Sequence, residues 1–168
     1  NLAVASNLER VAAVVRTPLD VVLERCNVDS DNLYAECLLK AAANKLTGQP
    51  GSWRNGTAAA RMMIKDRLGP ESAATLVMSD GSGLSRGNRV TPALMTQWMA
   101  EVASDPACGT MFVESIAKAG EEGTLKTRFK KARLDTDVRA KSGYIRQVRT
   151  LSGYLTEASS GRRIAFSI

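Results

Sequence analysis

The chain has 168 residues, a net charge of +6 and no histidine, a length that suits one ordinary domain or part of a larger one. With 44% hydrophobic and 24% charged residues it is not a disordered tail, and no apolar run approaches the roughly 20 residues that span a bilayer. The missing histidine removes Ser-His-Asp and Cys-His catalysis and every histidine-containing zinc site. The start, Asn1 to Asn7, has no initiator Met and no signal-like segment, and reads as the start of a processed or truncated piece. Thr17-Pro18 predicts an N-cap and Pro at the first helical position of a helix running to about Glu24. A second helix is expected just after Ser30, with Leu33, Cys37, Leu38, Ala41 and Ala42 on its apolar face and Gly48 closing it. A third runs from about Thr57 to Leu68, with Ala58, Met62, Ile64 and Leu68 as core and Gly69 as C-cap. Thr75 to Met78 is read as a short strand. Thr91-Pro92 opens a fourth helix bearing Leu94, Met95, Trp98, Met99 and Val102, and a fifth covers about Thr110 to Ala119. The last third carries strand formers over Val138 to Tyr144, Val148 to Ala158 and Arg162 to Ser167, with Ser159-Ser160-Gly161 as a turn. The fold class is therefore α+β, a helical cluster followed by a C-terminal antiparallel sheet.

The three cysteines, Cys26, Cys37 and Cys108, are odd in number and lack CxxC spacing. They read as small buried hydrophobes rather than a metal site or a disulfide framework. The positive charge suits acidic partners, whether nucleic acid, an anionic membrane surface or an acidic polymer. The densest basic stretch, Lys126 to Arg133, holds five cations in eight residues. With only 5% aromatic residues in the chain, it reads as a solvated face and not as a nucleic-acid stripe.

Three local signals carry chemistry. Ser30-Asp31-Asn32 opens a helix, and alone it is an ordinary cap, because about 0.6 Ser-x-Asn matches arise by chance in this composition. Lys141-Ser142-Gly143 lies on a predicted strand, where chance gives about 0.1 Lys-[Ser/Thr]-Gly matches. Asp80-Gly81-Ser82-Gly83-Leu84-Ser85-Arg86-Gly87-Asn88 is a Gly-rich loop that fits neither a P-loop nor a dinucleotide fingerprint. Together, in this order, SDN and K-[ST]-G belong to the SxxK, SDN, KTG signature of β-lactam-recognising acyltransferases.

The loop between them, with Asn88-Arg89-Val90-Thr91-Pro92 after it, closely resembles the DGSGLSR-x-N segment of the penicillin-binding protein 4 type of D-Ala-D-Ala carboxypeptidase/endopeptidase. Ser30 to Glu36, Gly123-Thr124-Leu125, Val138 to Gly143 and Leu151-Ser152-Gly153-Tyr154 continue the resemblance, which covers nearly the whole chain from about Thr17. It implies a β-lactamase/transpeptidase-like fold, of which residues 1–168 would be the C-terminal portion, with the SxxK-bearing part outside them. The one SxxK match, Ser115-Ile116-Ala117-Lys118, falls between SDN and KSG, the wrong order for the family. It reads as a decoy whose two residues merely share a helix.

The resemblance implies acyl transfer through a serine acyl-enzyme, without metal or organic cofactor, on peptidoglycan stem peptides ending in D-Ala-D-Ala. Ser30 would relay a proton to the leaving amine, Lys141 would keep the local field positive, and Asn32 would position the acyl-side carbonyl. Ser142 would hydrogen-bond the substrate carboxylate, Gly143 would admit the substrate backbone as an added strand, and the Tyr144 N–H would be an oxyanion donor. Asp31 reads as a helix-start charge, and Asp80, Gly81, Ser82, Gly83 and Ser85 as structural support of the site. Ser142 stands where the family usually has Thr, and Tyr144 where a small Ser or Thr is common. β-Lactams are the implied inhibitors, the periplasm or extracytoplasmic envelope the implied location, and nucleic acid is not an implied partner. Two other readings are a non-catalytic peptidoglycan-binding relative and a basic nucleic-acid module with fortuitous motifs. The fragment alone is expected to be inactive; oligomeric state and carboxypeptidase versus endopeptidase preference are not fixed by the sequence.

Overall fold

The computed structural model describes residues 15–129 and 136–168. In chain order these form α1 (Leu19–Asn27), α2 (Asn32–Thr47), α3 (Trp53–Leu68), α4 (Pro70–Ala74), α5 (Pro92–Ser104) and α6 (Gly109–Glu114). A 3₁₀ turn (Gly123–Leu125) follows, then β1 (Thr136–Ile145), β2 (Val148–Glu157) and β3 (Arg163–Ser167). The three strands make one antiparallel sheet in sequence order. No helix among the described residues is long and apolar enough to cross a membrane.

Caps and turns explain most boundaries. Asp31 accepts from the backbone N–H of Leu33 and Tyr34 and starts α2, and Gly48 closes it in the left-handed region. Thr91 caps α5 through Leu94 N–H, with Pro92 in its first turn. Several expectations shift. α1 starts at Leu19 with Pro18 itself in the cap position and no side-chain cap, and it runs on to Asn27. α3 begins at Trp53, because Ser52 caps it through Asn55 N–H. The expected strand Thr75–Met78 instead follows α4 (Pro70–Ala74), which Pro70 opens after Gly69 and whose C-cap is Thr75. Only Val77 pairs there, in a single bridge to Arg89.

The sheet is covered on one face by α5 and α6. Met99, Val113, Ile116 and Tyr154 form a buried cluster there, and the Tyr154 hydroxyl donates to the Met99 carbonyl at 2.7 Å. Burial raises that phenol's pKa to about 12, against a smaller lowering by Arg163. On the other face Leu125, Ala140 and Leu151 pack together with Phe166. A third cluster, Ile64, Ala73, Leu76 and Leu94, lies among the helices. Between α1, α2, α3 and α5 an apolar cavity of about 490 Å³ opens, lined by residues such as Leu38, Leu39, Ala42, Ala59, Ala60 and Met63.

That cavity corrects the expected apolar faces. Leu33, Cys37, Ala41 and Ala42 of α2 are exposed, and of this helix only Ala43 is fully buried. On α3 the buried positions are Gly56, Ala59 and Ile64, whereas Ala58 and Met62 are exposed. The small residues of α3 set the face, since they let this helix approach Leu39 of α2. The cysteines are not fully buried: Cys37 is exposed, and Cys26 and Cys108 are half-buried.

The expected fifth helix ends at Glu114, not Ala119. There the chain turns to run along the outer edge of β1, where Ala140 N–H donates to Ala117 O and Ala119 N–H to Val138 O. Ser115 and Lys118 therefore do not share a helix. Lys126 to Phe129 are exposed, as expected of a solvated face, and Lys130 to Arg133 lie outside the described residues, as does the start of the chain.

Candidate active site

The α1–α2 connection places the first group. Ser30 adopts a left-handed conformation, φ +60°, which an L-residue occupies at a cost of about 1–2 kcal/mol. Asp31, next in the chain, is tied down by its N–H bond to Arg25 O and by its own capping bonds. Strain in one residue thus sits between two well-held elements, as it often does at functional positions.

The second group comes from β1. Lys141 Nζ donates to Ser30 Oγ at 2.7 Å and to the Ser142 carbonyl at 2.8 Å. Two motifs 111 residues apart in sequence meet in this one contact. Burial lowers the Lys141 pKa below the ordinary lysine value. The Ser142 hydroxyl shares a 2.7 Å hydrogen bond with Thr124 Oγ1. Thr124 arrives there through Gly123, which has φ +49° and lies so close to the Val28 carbonyl that a Cβ would overlap it. Gly123 therefore lets the 3₁₀ turn rest on the loop that carries Ser30.

The edge of β1 completes the arrangement. Val138 and Ala140 direct their backbone groups at the 117–119 segment. The period of two puts the backbone groups of Ser142 and Tyr144 on the same outer edge, beyond the point where that segment stops. An extended peptide could continue the pairing there. At Gly143 a Cβ would come within 2.5 Å of Thr150 Oγ1. Tyr144 is 71% exposed, and Asn32 is exposed in the first turn of α2.

The Gly-rich loop takes no part in this contact and is fixed to α2. Asp80 organises it from within, accepting from Gly83 N–H, Ser85 N–H and Asn88 Nδ2. Glu36 holds it from outside. Its carboxylate accepts from Gly81 N–H, Ser82 N–H, Ser82 Oγ and the Trp53 indole, at 2.6–3.1 Å. Burial pushes the Glu36 pKa up, but these four donors outweigh it and bring the value down to about 2. Lys40 sits 4.2 Å above the Trp53 ring and steadies it.

The structure thus joins Ser30, Lys141 and Ser142 directly. It gathers Asp80, Gly81, Ser82, Gly83 and Ser85 into one loop, held by Glu36 of α2, the helix that starts just after Ser30. Sequence reasoning gave no role to Glu36 or Thr124, although both lie in stretches that carry the resemblance. Ser115 is buried, accepts from Asn27 Nδ2 at 2.8 Å and donates to Phe112 O, while Lys118 pairs with Glu121. Neither is poised to activate the other.

The family model described as the D-Ala-D-Ala carboxypeptidase 3 (S13) family matches residues 3–168. The chain is 35% identical over 144 residues to a D-alanyl-D-alanine carboxypeptidase of an Actinomadura species, covering 83% of this chain and 26% of that protein. It is 31% identical over 154 residues to a D-alanyl-D-alanine carboxypeptidase of Haemophilus influenzae, covering 89% and 31%. Penicillin binding protein 4 of H. influenzae, solved in complex with a β-lactam, superposes with a TM-score of 0.71 at 28% identity, over 89% of this chain and 34% of that one. The chain thus spans about a third or less of the length of these relatives.

Proposed function

Since the chain belongs to the D-Ala-D-Ala carboxypeptidase 3 (S13) family, we propose that it supplies the proton-relay and carboxylate-binding side of a serine D-Ala-D-Ala carboxypeptidase/endopeptidase. Its substrate is a peptidoglycan stem peptide, its inhibitors are β-lactams, and it works in the cell envelope outside the cytoplasmic membrane. The nucleophilic serine belongs to a segment N-terminal to the residues described here. The observation that carries the reading is the 2.7 Å contact between Lys141 Nζ and Ser30 Oγ.

In this reaction the serine oxygen attacks the carbonyl of the penultimate D-Ala. The C–N bond breaks, and the terminal D-Ala amine leaves with a proton. Ser30 passes that proton through its hydroxyl. Lys141 faces the same oxygen with an amine whose pKa burial has lowered, so it exchanges protons more readily than a solvated lysine. The open edge of β1 takes the substrate backbone, and the Tyr144 N–H lies on that edge as one oxyanion donor. Ser142, oriented by Thr124, binds the terminal carboxylate. Asn32 positions the acyl-side carbonyl, and the Asp80 loop supports the site through α2.

The test is intact mass after incubation with benzylpenicillin. This chain alone should gain no adduct, and the full-length polypeptide should gain one penicillin on a serine outside residues 15–168. An adduct on Ser115 would overturn the assignment. A full-length polypeptide that gains none would instead make the protein a non-catalytic binder of stem peptides.

A further inference from the structure

The sheet face that carries Ser142 also carries two exposed side chains with no task in the scheme above. Tyr144 lies two residues beyond Ser142 on β1 and pairs directly with Arg149 on β2, while Ser142 pairs with Leu151. Because Tyr144 turns its backbone groups to the outer edge, the Tyr144–Arg149 pair is of the non-hydrogen-bonded kind, in which side chains lie closest. The Arg149 guanidinium sits 5.3 Å from the centre of the Tyr144 ring, a cation–π contact that holds a long, flexible side chain in place. Arg149 forms no ion pair among the described residues.

Arg149 is also the diagonal neighbour of Ser142, since it lies two residues from Leu151. Diagonal Cβ atoms on one sheet face are separated by roughly 7–8 Å, within the reach of an arginine. Lys141 cannot grip a carboxylate in the same way. Two of its protons go to Ser30 and to the Ser142 carbonyl, and its side chain leaves the strand on the opposite face. An ammonium acts as a point charge, whereas a guanidinium offers a planar fork that matches both carboxylate oxygens.

We propose that Arg149, steadied on Tyr144, is a specificity-determining residue that takes the terminal carboxylate of a peptide lying along the β1 edge beside Ser142. The inference rests on the function proposed above and deepens it. It also gives the exposed Tyr144 ring a purpose, because a small residue there would have no ring on which to hold the guanidinium.

The experiment is titration of the chain with a peptide ending in D-Ala-D-Ala and with the same peptide as its C-terminal amide, followed by heteronuclear NMR. The unaltered chain should prefer the acid. Arg149→Ala should weaken acid binding about tenfold or more, on the scale of a charge-assisted hydrogen bond, and leave amide binding unchanged. Arg149→Lys should restore part of the preference, and Tyr144→Phe, which keeps the ring, should keep it. An unchanged acid-to-amide ratio in Arg149→Ala overturns this inference alone, as does equal weakening for both peptides. Failure of the unaltered chain to bind either peptide overturns the site reading and this inference with it.

Discussion

At the scale of single residues the contact between Ser30 and Lys141 asks for two different properties, a hydroxyl at one end and a removable proton at the other. Arginine keeps the charge but does not deprotonate in proteins. Lys141→Arg in the full-length polypeptide should therefore lower β-lactam acylation by about 10²–10⁴-fold, the usual contribution of a positioned acid or base. In the unaltered protein, the limb of the rate profile set by this amine should titrate below the ordinary lysine range, because burial depresses its pKa. An arginine variant acylated within about tenfold of the original rate would remove Lys141 from proton transfer. Ser30 separates strain from chemistry. Glycine adopts φ +60° without penalty, so Ser30→Gly should be about 1 kcal/mol more stable than Ser30→Ala. Both should lose activity alike. Thermal unfolding of the two variants checks this, and a less stable glycine variant would show that the left-handed backbone is not under strain.

At the scale of elements, α2 is the part on which the others are set. Its first turn is fixed by Asp31, and one turn later Glu36 clamps the Asp80 loop and the start of α3. Glu36→Gln keeps the shape but replaces the acceptor of four donors with a neutral amide, and should destabilise the fold by about 1–3 kcal/mol. The pH dependence has a definite sign. The folded pKa of about 2 lies below the ordinary 4.5, so the unfolded chain takes the proton first. Stability from Glu36 is full above about pH 4.5 and is lost as pH falls toward about 2. Denaturant midpoints across that window should fall more steeply for the unaltered chain than for Glu36→Gln. Equal slopes would mean that the carboxylate does not hold the loop. Glu36 also marks how far the sequence could be read. Ser30-Asp31-Asn32 and Lys141-Ser142-Gly143 were legible because each motif is local and each end sets its own backbone. The donors to Glu36 come from 17, 45 and 46 residues away, and Thr124 meets Ser142 across 18, so neither pairing leaves a local trace. Periodicity and capping found the helices other than the short α4 but misplaced the apolar faces of α2 and α3. These helices border a cavity rather than a filled core, and small residues such as Gly56 and Ala59 form the contact there.

At the scale of the molecule, the site exists only if the sheet and the helices keep their relative placement, because Ser30 belongs to one and Lys141 to the other. Besides that contact, the joint includes the 117–119 pairing with β1 and the buried cluster of Met99, Val113, Ile116 and Tyr154. Tyr154 is 1% exposed and donates to a carbonyl of α5. Tyr154→Phe keeps the ring and removes the hydroxyl's bond to the Met99 carbonyl, which lies inside α5 and keeps its place in the helix ladder, so the loss should cost about 0.5–1.5 kcal/mol. The phenol also has a pH signature. Its folded pKa of about 12 exceeds the ordinary 10, so its contribution is complete below about pH 10 and disappears as pH rises through about 12. Lys141 acts in the opposite sense, since its lowered pKa penalises the charged form and that penalty lifts as pH rises. Comparing the unaltered chain with Tyr154→Phe isolates the tyrosine, because Lys141 is common to both. The stability difference between them should be largest near neutral pH and shrink toward pH 12. A difference that stays constant over that range would mean that the hydroxyl is not what joins sheet to helix, and that the apolar packing and the pairing of 117–119 with β1 keep Lys141 within reach of Ser30.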